Sequence, residues 1–200
     1  MRAAMFGGSF DPIHRGHLYL LHTVCLETDY RRIFLVPAYV NNFKQGHCPG
    51  ASGKDRLALL ELAVKDYKDL YPQDDLELIV SPAELERGGI SYTYDTVTEL
   101  MESNVVEGKF GLLIGDDLLA GVPDWYQAGR LRNLVEYVVC RRSEIPAAVP
   151  DGFSVHYLHN VPFQDSSTEI RRALHEGEDT ARYLSKRVKE YVERYKLYRD

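Results

Sequence analysis

Two histidines three residues apart, His14 and His17, stand near the end of the stretch "MFGGSFDPIHRGHL" and open an apolar pattern that continues through Leu18, Leu20 and Leu21. The start of a helix carries unpaired backbone N–H groups and a partial positive charge, so cations there are disfavoured and anions favoured. His14, Arg15 and His17 therefore call for something negative to compensate them. Gly7 and Gly8 follow the apolar run Arg2–Phe6 directly, and their missing side chains let a ligand approach the backbone. Glycines, imidazoles and exposed N–H groups in this order meet the requirements of a triphosphate.

A second segment, "DSSTEIRR", repeats the argument near the other end of the chain. Ser166 and Glu169 have the spacing of a capping box. Arg171 falls near the first turn of the same helix, where a cation requires an anion beside it. With the hydroxyls of Ser167 and Thr168 it suits phosphate oxygens. Two further segments carry unusual residues. "ERGGISYTYDT" places Gly88–Gly89 ahead of hydroxyls at Ser91 and Thr93, either of which serves as a helix cap. "IGDDLLAGVPDWYQ" sets Asp116 and Asp117 after an apolar run and then the only tryptophan, Trp125, behind a Pro123–Asp124 turn. That arrangement leaves a ring able to stack on a flat heterocycle, and it equally describes a core tryptophan.

Other chemistries are excluded. "CPGASGKD" falls short of a phosphate-binding P-loop, with Cys48 in place of the first glycine and Asp55 in place of the magnesium-binding hydroxyl. There is no GxGxxG and no GxSxG nucleophile elbow. His156 and His159 point to opposite faces of a strand, and no zinc spacing occurs, so no protein-built metal site is expected.

The elements that must position these residues alternate between apolar runs and helical patterns, the mark of parallel strands joined by crossover helices. Strands are expected over Arg2–Phe6, Arg32–Pro37, Leu76–Ser81, Phe110–Gly115, Tyr137–Cys140 and Ser154–His159. Helices are expected over Gly16–Glu27, Lys54–Tyr67, Tyr94–Glu102, Trp125–Leu131, Ser167–Glu176 and Ala181–Tyr198, the last with Tyr191, Tyr195 and Tyr198 on one face. The fold class is α/β, a doubly wound parallel sheet of about six strands. In such sheets ligands bind beyond the carboxyl ends of the strands, where all the unusual segments lie. The 200 residues, 44% of them hydrophobic, are expected to form one domain, with a helical C-terminal segment from about residue 166. The loop Ala38–Gly53 has the length of a substrate lid. A net charge of -6 disfavours nucleic-acid binding, and no apolar run reaches the roughly 18 residues of a membrane span. Three widely spaced cysteines without a CxxC match reduced thiols in a cytoplasmic protein.

"GGSFDPIHRGH" resembles the (His/Thr)-x-Gly-His signature of a nucleotidyltransferase superfamily with a Rossmann-like fold. "RGGISYTYDT", "LLIGDD" with the later Trp125, and "SSTEIRR" look like the successive motifs of the bacterial nicotinate-nucleotide adenylyltransferases, so that the likeness spans nearly the whole chain. The resemblance implies a reaction of ATP with nicotinate mononucleotide, assisted by Mg2+, giving nicotinate adenine dinucleotide and pyrophosphate. It implies that His14 and His17 hold the ATP phosphates and that Gly7, Gly8, Ser9 and Phe10 line the adenosine and phosphate pocket through backbone. It further implies that Ser167, Thr168 and Arg171 complete a phosphate clamp, that Asp116 contacts ATP, and that Tyr92, Thr93 and Trp125 form the ribotide pocket. Lys44 matches the lysine that ends the family's Pro-Pro-His-Lys lid motif, although Asn41-Asn42-Phe43 replaces the residues before it. Phosphopantetheine adenylyltransferase is a shorter chain with Thr at the position of His14. The second signature of the class I aminoacyl-tRNA synthetases is matched only at Ser185 and Lys186. A nucleotide-sensing module without turnover is the non-enzymatic alternative, and the oligomeric state is open.

Overall fold

A computed structural model describes residues 1–41, 49–104, 106–142, 147–161 and 166–199. Six parallel strands form the main sheet: β1 (Arg2–Gly8), β2 (Tyr30–Pro37), β4 (Glu77–Val80), β6 (Phe110–Gly115), β7 (Val135–Cys140) and β8 (Val155–Tyr157), in the order β4-β2-β1-β6-β7-β8. A separate parallel pair joins β3 (Val40–Asn41) to β5 (Ile90–Ser91). The helices are α1 (Arg15–Glu27), α2 (Gly53–Leu70), α3 (Ala83–Arg87), α4 (Thr93–Ser103), α5 (Asp116–Leu119), α6 (Ala128–Leu134), α7 (Ser167–His175) and α8 (Lys186–Arg194).

The central strands are covered on both faces, and their sequences read as continuous apolar runs for that reason. All six residues of β6, "FGLLIG", are buried. The period of two along β1 divides the core, because successive side chains point to opposite faces. Ala4 and Phe6 join Leu18, Leu21, Leu59, Ile170 and Val188 on one face, under α1, α2, α7 and α8. Ala3 and Met5 join Val97, Leu131 and Tyr137 on the other, under α4 and α6. Gly111 is what lets β6 lie against β1, since a Cβ there would sit 2.6 Å from the Ala4 Cβ and 2.7 Å from the Tyr30 ring.

Strand order reverses between β1 and β6, which pair in parallel from Ala4 opposite Gly111. The chain leaving β1 enters α1 on one face and the chain leaving β6 enters α5 and α6 on the other. Their carboxyl ends therefore part and leave a crevice. No helix among the described residues is long and apolar enough to cross a membrane.

Two helices differ from the sequence expectation. The last runs only over Lys186–Arg194, since Ser185 is its N-cap and the preceding turn buries Tyr183 and Leu184. The carbonyls of that turn are committed to Arg15, whose N–H and Nε donate to Tyr183 and Leu184 at 2.7 and 3.1 Å. At its far end Lys196 (φ 53°) and Tyr198 (φ 65°) are left-handed, so Tyr198 does not share a helical face with Tyr191 and Tyr195. The helix expected over Trp125–Leu131 begins at Ala128, because Val122–Asp124 forms a 3-10 turn and Gln127 is left-handed (φ 56°). Residues 42–48 of the expected lid lie outside the described residues.

Candidate active site

β1 delivers Gly7 and Gly8 to the crevice, and the loop after it is held from below by a buried cation. Arg56 of α2, 2% exposed, donates through Nη1 to the Ser9 carbonyl at 2.8 Å and the Ala38 carbonyl at 2.7 Å. It thereby ties the loops leaving β1 and β2 together. Phe10 takes a left-handed conformation (φ 44°) that turns its ring inward, edge-on to Phe6 at 5.4 Å and to His17 at 5.2 Å. The Phe10 ring is thus committed to the core and is not offered to the crevice.

His14 is the N-cap of α1, and the His17 ring returns to it, with Nδ1 accepting the His14 backbone N–H at 3.1 Å. Histidine here takes the place that glutamate or glutamine holds in an ordinary capping box. With Nδ1 accepting, the neutral His17 ring carries its proton on Nε2. The two rings lie 3.7 Å apart at 37°. Burial, with the nearby charge of Arg142, pushes the His14 pKa down to about 3. His14 is therefore a neutral imidazole at neutral pH, which removes the conflict between a cation and the helix start. Arg15 is exposed and its Nε is spent on the Leu184 carbonyl.

The capping box at the start of α7 is present, with Ser166 Oγ accepting the Glu169 N–H at 3.2 Å and Glu169 Oε2 accepting the Ser166 N–H at 3.0 Å. Ser167 Oγ donates to the Pro12 carbonyl at 3.1 Å, which brings α7 against the histidine loop. Arg171 donates through Nη1 to the Asp11 carbonyl at 2.7 Å and through Nη2 to Thr168 Oγ1 at 3.2 Å. Its Nη1 is 3.5 Å from Asp11 Oδ2. Part of the anion that this cation requires is thus supplied by the chain itself, from a carboxylate 4% exposed.

The opposite wall comes from β6, β7 and the segment before α4. Gly115, Arg142, Glu84, Ser91 and Thr93 line the crevice with Gly7 and Gly8. Asp116 is the first residue of α5, 4% exposed, and its Oδ1 accepts the Arg142 N–H at 3.0 Å. The Arg142 Nε stands 3.5 Å from Asp117 Oδ1. Both glycines of Gly88–Gly89 have positive φ, 67° and 71°, which accounts for that pair as a turn ahead of β5. Tyr92, not Ser91 or Thr93, is the N-cap of α4. Ser91 Oγ instead accepts the Tyr39 N–H at 3.1 Å.

Trp125 is half-buried, its ring edge-on to Tyr137 at 6.5 Å within the apolar cluster on that face, and it is not among the residues lining the crevice. Tyr92 instead meets the exposed Tyr126, ring to ring at 4.6 Å. Lys44 lies outside the described residues.

A cytidylyltransferase-like family profile matches residues 5–173. A protein of Treponema pallidum named as a probable nicotinate-nucleotide adenylyltransferase is 34% identical, with 100% of each chain covered. The nicotinate-nucleotide adenylyltransferase of Bacillus subtilis is 30% identical over 98% of each chain. The chain belongs to the nicotinate-nucleotide adenylyltransferase family. The fold agrees: a Plasmodium falciparum nicotinic acid mononucleotide adenylyltransferase complexed with NaAD superposes with a TM-score of 0.75 at 19% identity, covering 98% of this chain and 97% of that one.

Four residues that shape this adenylyltransferase site escaped the sequence reading: Asp11, Arg56, Arg142 and Tyr198. Arg142 had a legible signal, since it follows the apolar run of β7 at a strand's carboxyl end. Asp11 reads locally as half of an Asp-Pro turn, and nothing local distinguishes Arg56 or Tyr198.

Proposed function

We propose that this enzyme transfers the adenylyl group of ATP to nicotinate mononucleotide, releasing pyrophosphate and forming nicotinate adenine dinucleotide for NAD biosynthesis. The observation that carries the reading is the pairing of His14 and His17 at the start of α1, in the loop that follows the bare backbone of Gly7–Gly8 and that the Arg171 guanidinium holds by the Asp11 carbonyl.

The ribotide's 5'-phosphate is already an anionic nucleophile. One of its oxygens bonds to the α-phosphorus of ATP while the bond to the bridging oxygen breaks, and that electron pair leaves with pyrophosphate. No general base is needed. The protein has to align the two phosphates and stabilise charge as it develops. His17, with its proton on Nε2, and the neutral His14 act as hydrogen-bond donors to phosphate, without adding a cation to a helix start that is already positive. Ser167, Thr168 and Arg171 are assigned to the departing pyrophosphate, and the family resemblance assigns Lys44 to it as well. Gly7, Gly8, Ser9 and the Phe10 backbone carry the adenosine, with Asp116 at its far wall. Thr93, in the crevice lining, is the ribotide contact, with Tyr92 beside it; Trp125, packed against Tyr137 outside that lining, would join them only through the part of its ring that is not buried.

Among the described residues no three His, Cys, Asp or Glu side chains gather as a metal cage. A magnesium ion bound with ATP needs none, because it takes phosphate oxygens and water with one or two carboxylates. Asp116 and Asp117 are the carboxylates of this wall. Bound with ATP, such an ion would supply neutralisation of charge on pyrophosphate. A cytoplasmic setting is in keeping with the free thiols of Cys25 and Cys140.

Incubation of the purified protein with ATP and nicotinate mononucleotide, with pyrophosphate release followed in time, tests the assignment. Release that depends on both substrates and favours nicotinate over nicotinamide mononucleotide is expected. ATP binding without release would make the protein a nucleotide-binding module.

A further inference from the structure

The Asp11 carboxylate sits three residues ahead of His14 and accepts three hydrogen bonds from two segments distant in sequence, with Arg171 of a third segment beside it. Oδ2 accepts the Gly50 N–H at 2.8 Å, and Oδ1 accepts the Ala51 N–H at 3.0 Å and the Tyr198 hydroxyl at 2.9 Å. Arg171 approaches Oδ2 only to 3.5 Å, while the same Nη1 makes its short bond to the Asp11 backbone carbonyl.

Tyr198 arrives by a costly route. The chain leaves α8 after Arg194 and adopts positive φ at both Lys196 and Tyr198, a region that residues with a side chain occupy infrequently. Gly50 leaves room for the ring, since a Cβ there would fall 3.1 Å from it. Burial and the adjacent Asp11 charge push the phenol far above its ordinary pKa, so it remains a neutral donor across the pH range of the protein.

This geometry decides what Arg171 can do. A guanidinium and a free carboxylate prefer a forked, two-bond ion pair. Here Tyr198 and Ala51 occupy Oδ1 and Gly50 occupies Oδ2, so Arg171 keeps one long contact with the carboxylate. We propose that Tyr198 is a positioning residue for adenylyl transfer, which holds the Asp11 carboxylate turned so that Arg171 is aimed at the phosphates and not drawn into a closed ion pair. The inference rests on the assignment of Arg171 to the pyrophosphate.

Tyr198→Phe keeps the ring and removes the donor. It is expected to lower kcat about 5- to 30-fold and to weaken pyrophosphate binding by a similar factor, with the KM for nicotinate mononucleotide unchanged. In an Arg171→Ala background the same substitution should have less than a twofold further effect on kcat, because the group it positions is gone. A merely structural role would reduce activity by the same factor in both backgrounds and would overturn the proposal, as would wild-type kcat in Tyr198→Phe. Pyrophosphate affinity, measured calorimetrically at a temperature where circular dichroism shows each variant folded, gives the same comparison if Tyr198→Phe is less stable. Absence of adenylyl transfer by the wild-type protein would instead reject the catalytic reading, and the pyrophosphate affinities would still decide the role of Tyr198.

Discussion

His17 Nδ1 accepts the backbone N–H of His14 at 3.1 Å, so one imidazole caps the helix that the other begins. The bond fixes the His17 tautomer and leaves Nε2 as a donor. Stability and catalysis are therefore separable at this residue. His17→Glu retains a capping side chain at the third helical position while placing a negative charge near the phosphates. It is expected to hold the melting temperature near that of the wild type and to lose at least a hundredfold in kcat. His17→Ala should lose a similar factor in rate and, in addition, about 0.5–2 kcal/mol of stability from the broken cap. Near-normal turnover in either folded variant would remove His17 from the mechanism.

His14 gives the protein a distinct acid response. Its pKa is held down at about 3 by burial first and by Arg142 second, against an ordinary value of 6.5. The unfolded chain thus binds a proton between these values that the native state refuses. Its contribution is fully present above pH 6.5 and is lost as pH falls towards 3, with a limiting slope of about 1.4 kcal/mol per pH unit. Melting curves between pH 7 and pH 4 should show a shallower decline for His14→Asn than for the wild type. Arg142→Ala should move the His14 titration upward when followed by NMR. Parallel curves for wild type and His14→Asn would contradict the assignment.

Arg171→Ala is expected to harm both activity and stability. Position alone, near the start of α7, makes a cation unfavourable and its removal neutral or mildly stabilising. The structure reverses that sign, because Arg171 partners the buried Asp11 and donates to its carbonyl. Loss of the donor should cost about 1 kcal/mol, at the low end for a charged hydrogen bond because the arginine is 31% exposed. A fall in melting temperature together with a loss of rate and of pyrophosphate affinity is the expected outcome. A raised melting temperature would show that the contact to Asp11 contributes nothing.

Trp125 has two roles to separate. Its contact with Tyr137 means that Trp125→Ala should lower stability by about 1.5–3 kcal/mol. If its exposed edge also serves the ribotide, KM for nicotinate mononucleotide rises while that for ATP holds, and Trp125→Phe restores most of both losses. Tyr126→Ala, at a position 48% exposed whose ring meets Tyr92 and Tyr94, should lower the melting temperature less than Trp125→Ala does. Equal rises in both Michaelis constants for Trp125→Ala would make the tryptophan a core residue only.

Local rules carried the architecture far. The apolar run Phe110–Gly115 is a strand at the same two ends that the sequence indicates, because a strand buried on both faces has no polar position at which to blur. The capping box at Ser166 and Glu169 was legible from spacing, since both bonds close within one turn. The place of the glycine-histidine segment, between the end of β1 and the start of α1, was legible because the apolar run before it and the helical pattern after it are both local signals. What tertiary structure alone decided are the pairings between distant segments. The partner of Arg171 is Asp11, 160 residues away, and the last donor to that carboxylate is Tyr198, 187 residues away. The protonation of His14 was settled in the same way, by burial and by the Arg142 charge that β7 brings up beside it. Hydrogen-bond geometry and desolvation depend on positions in space, and a linear pattern carries those only within a turn or a strand.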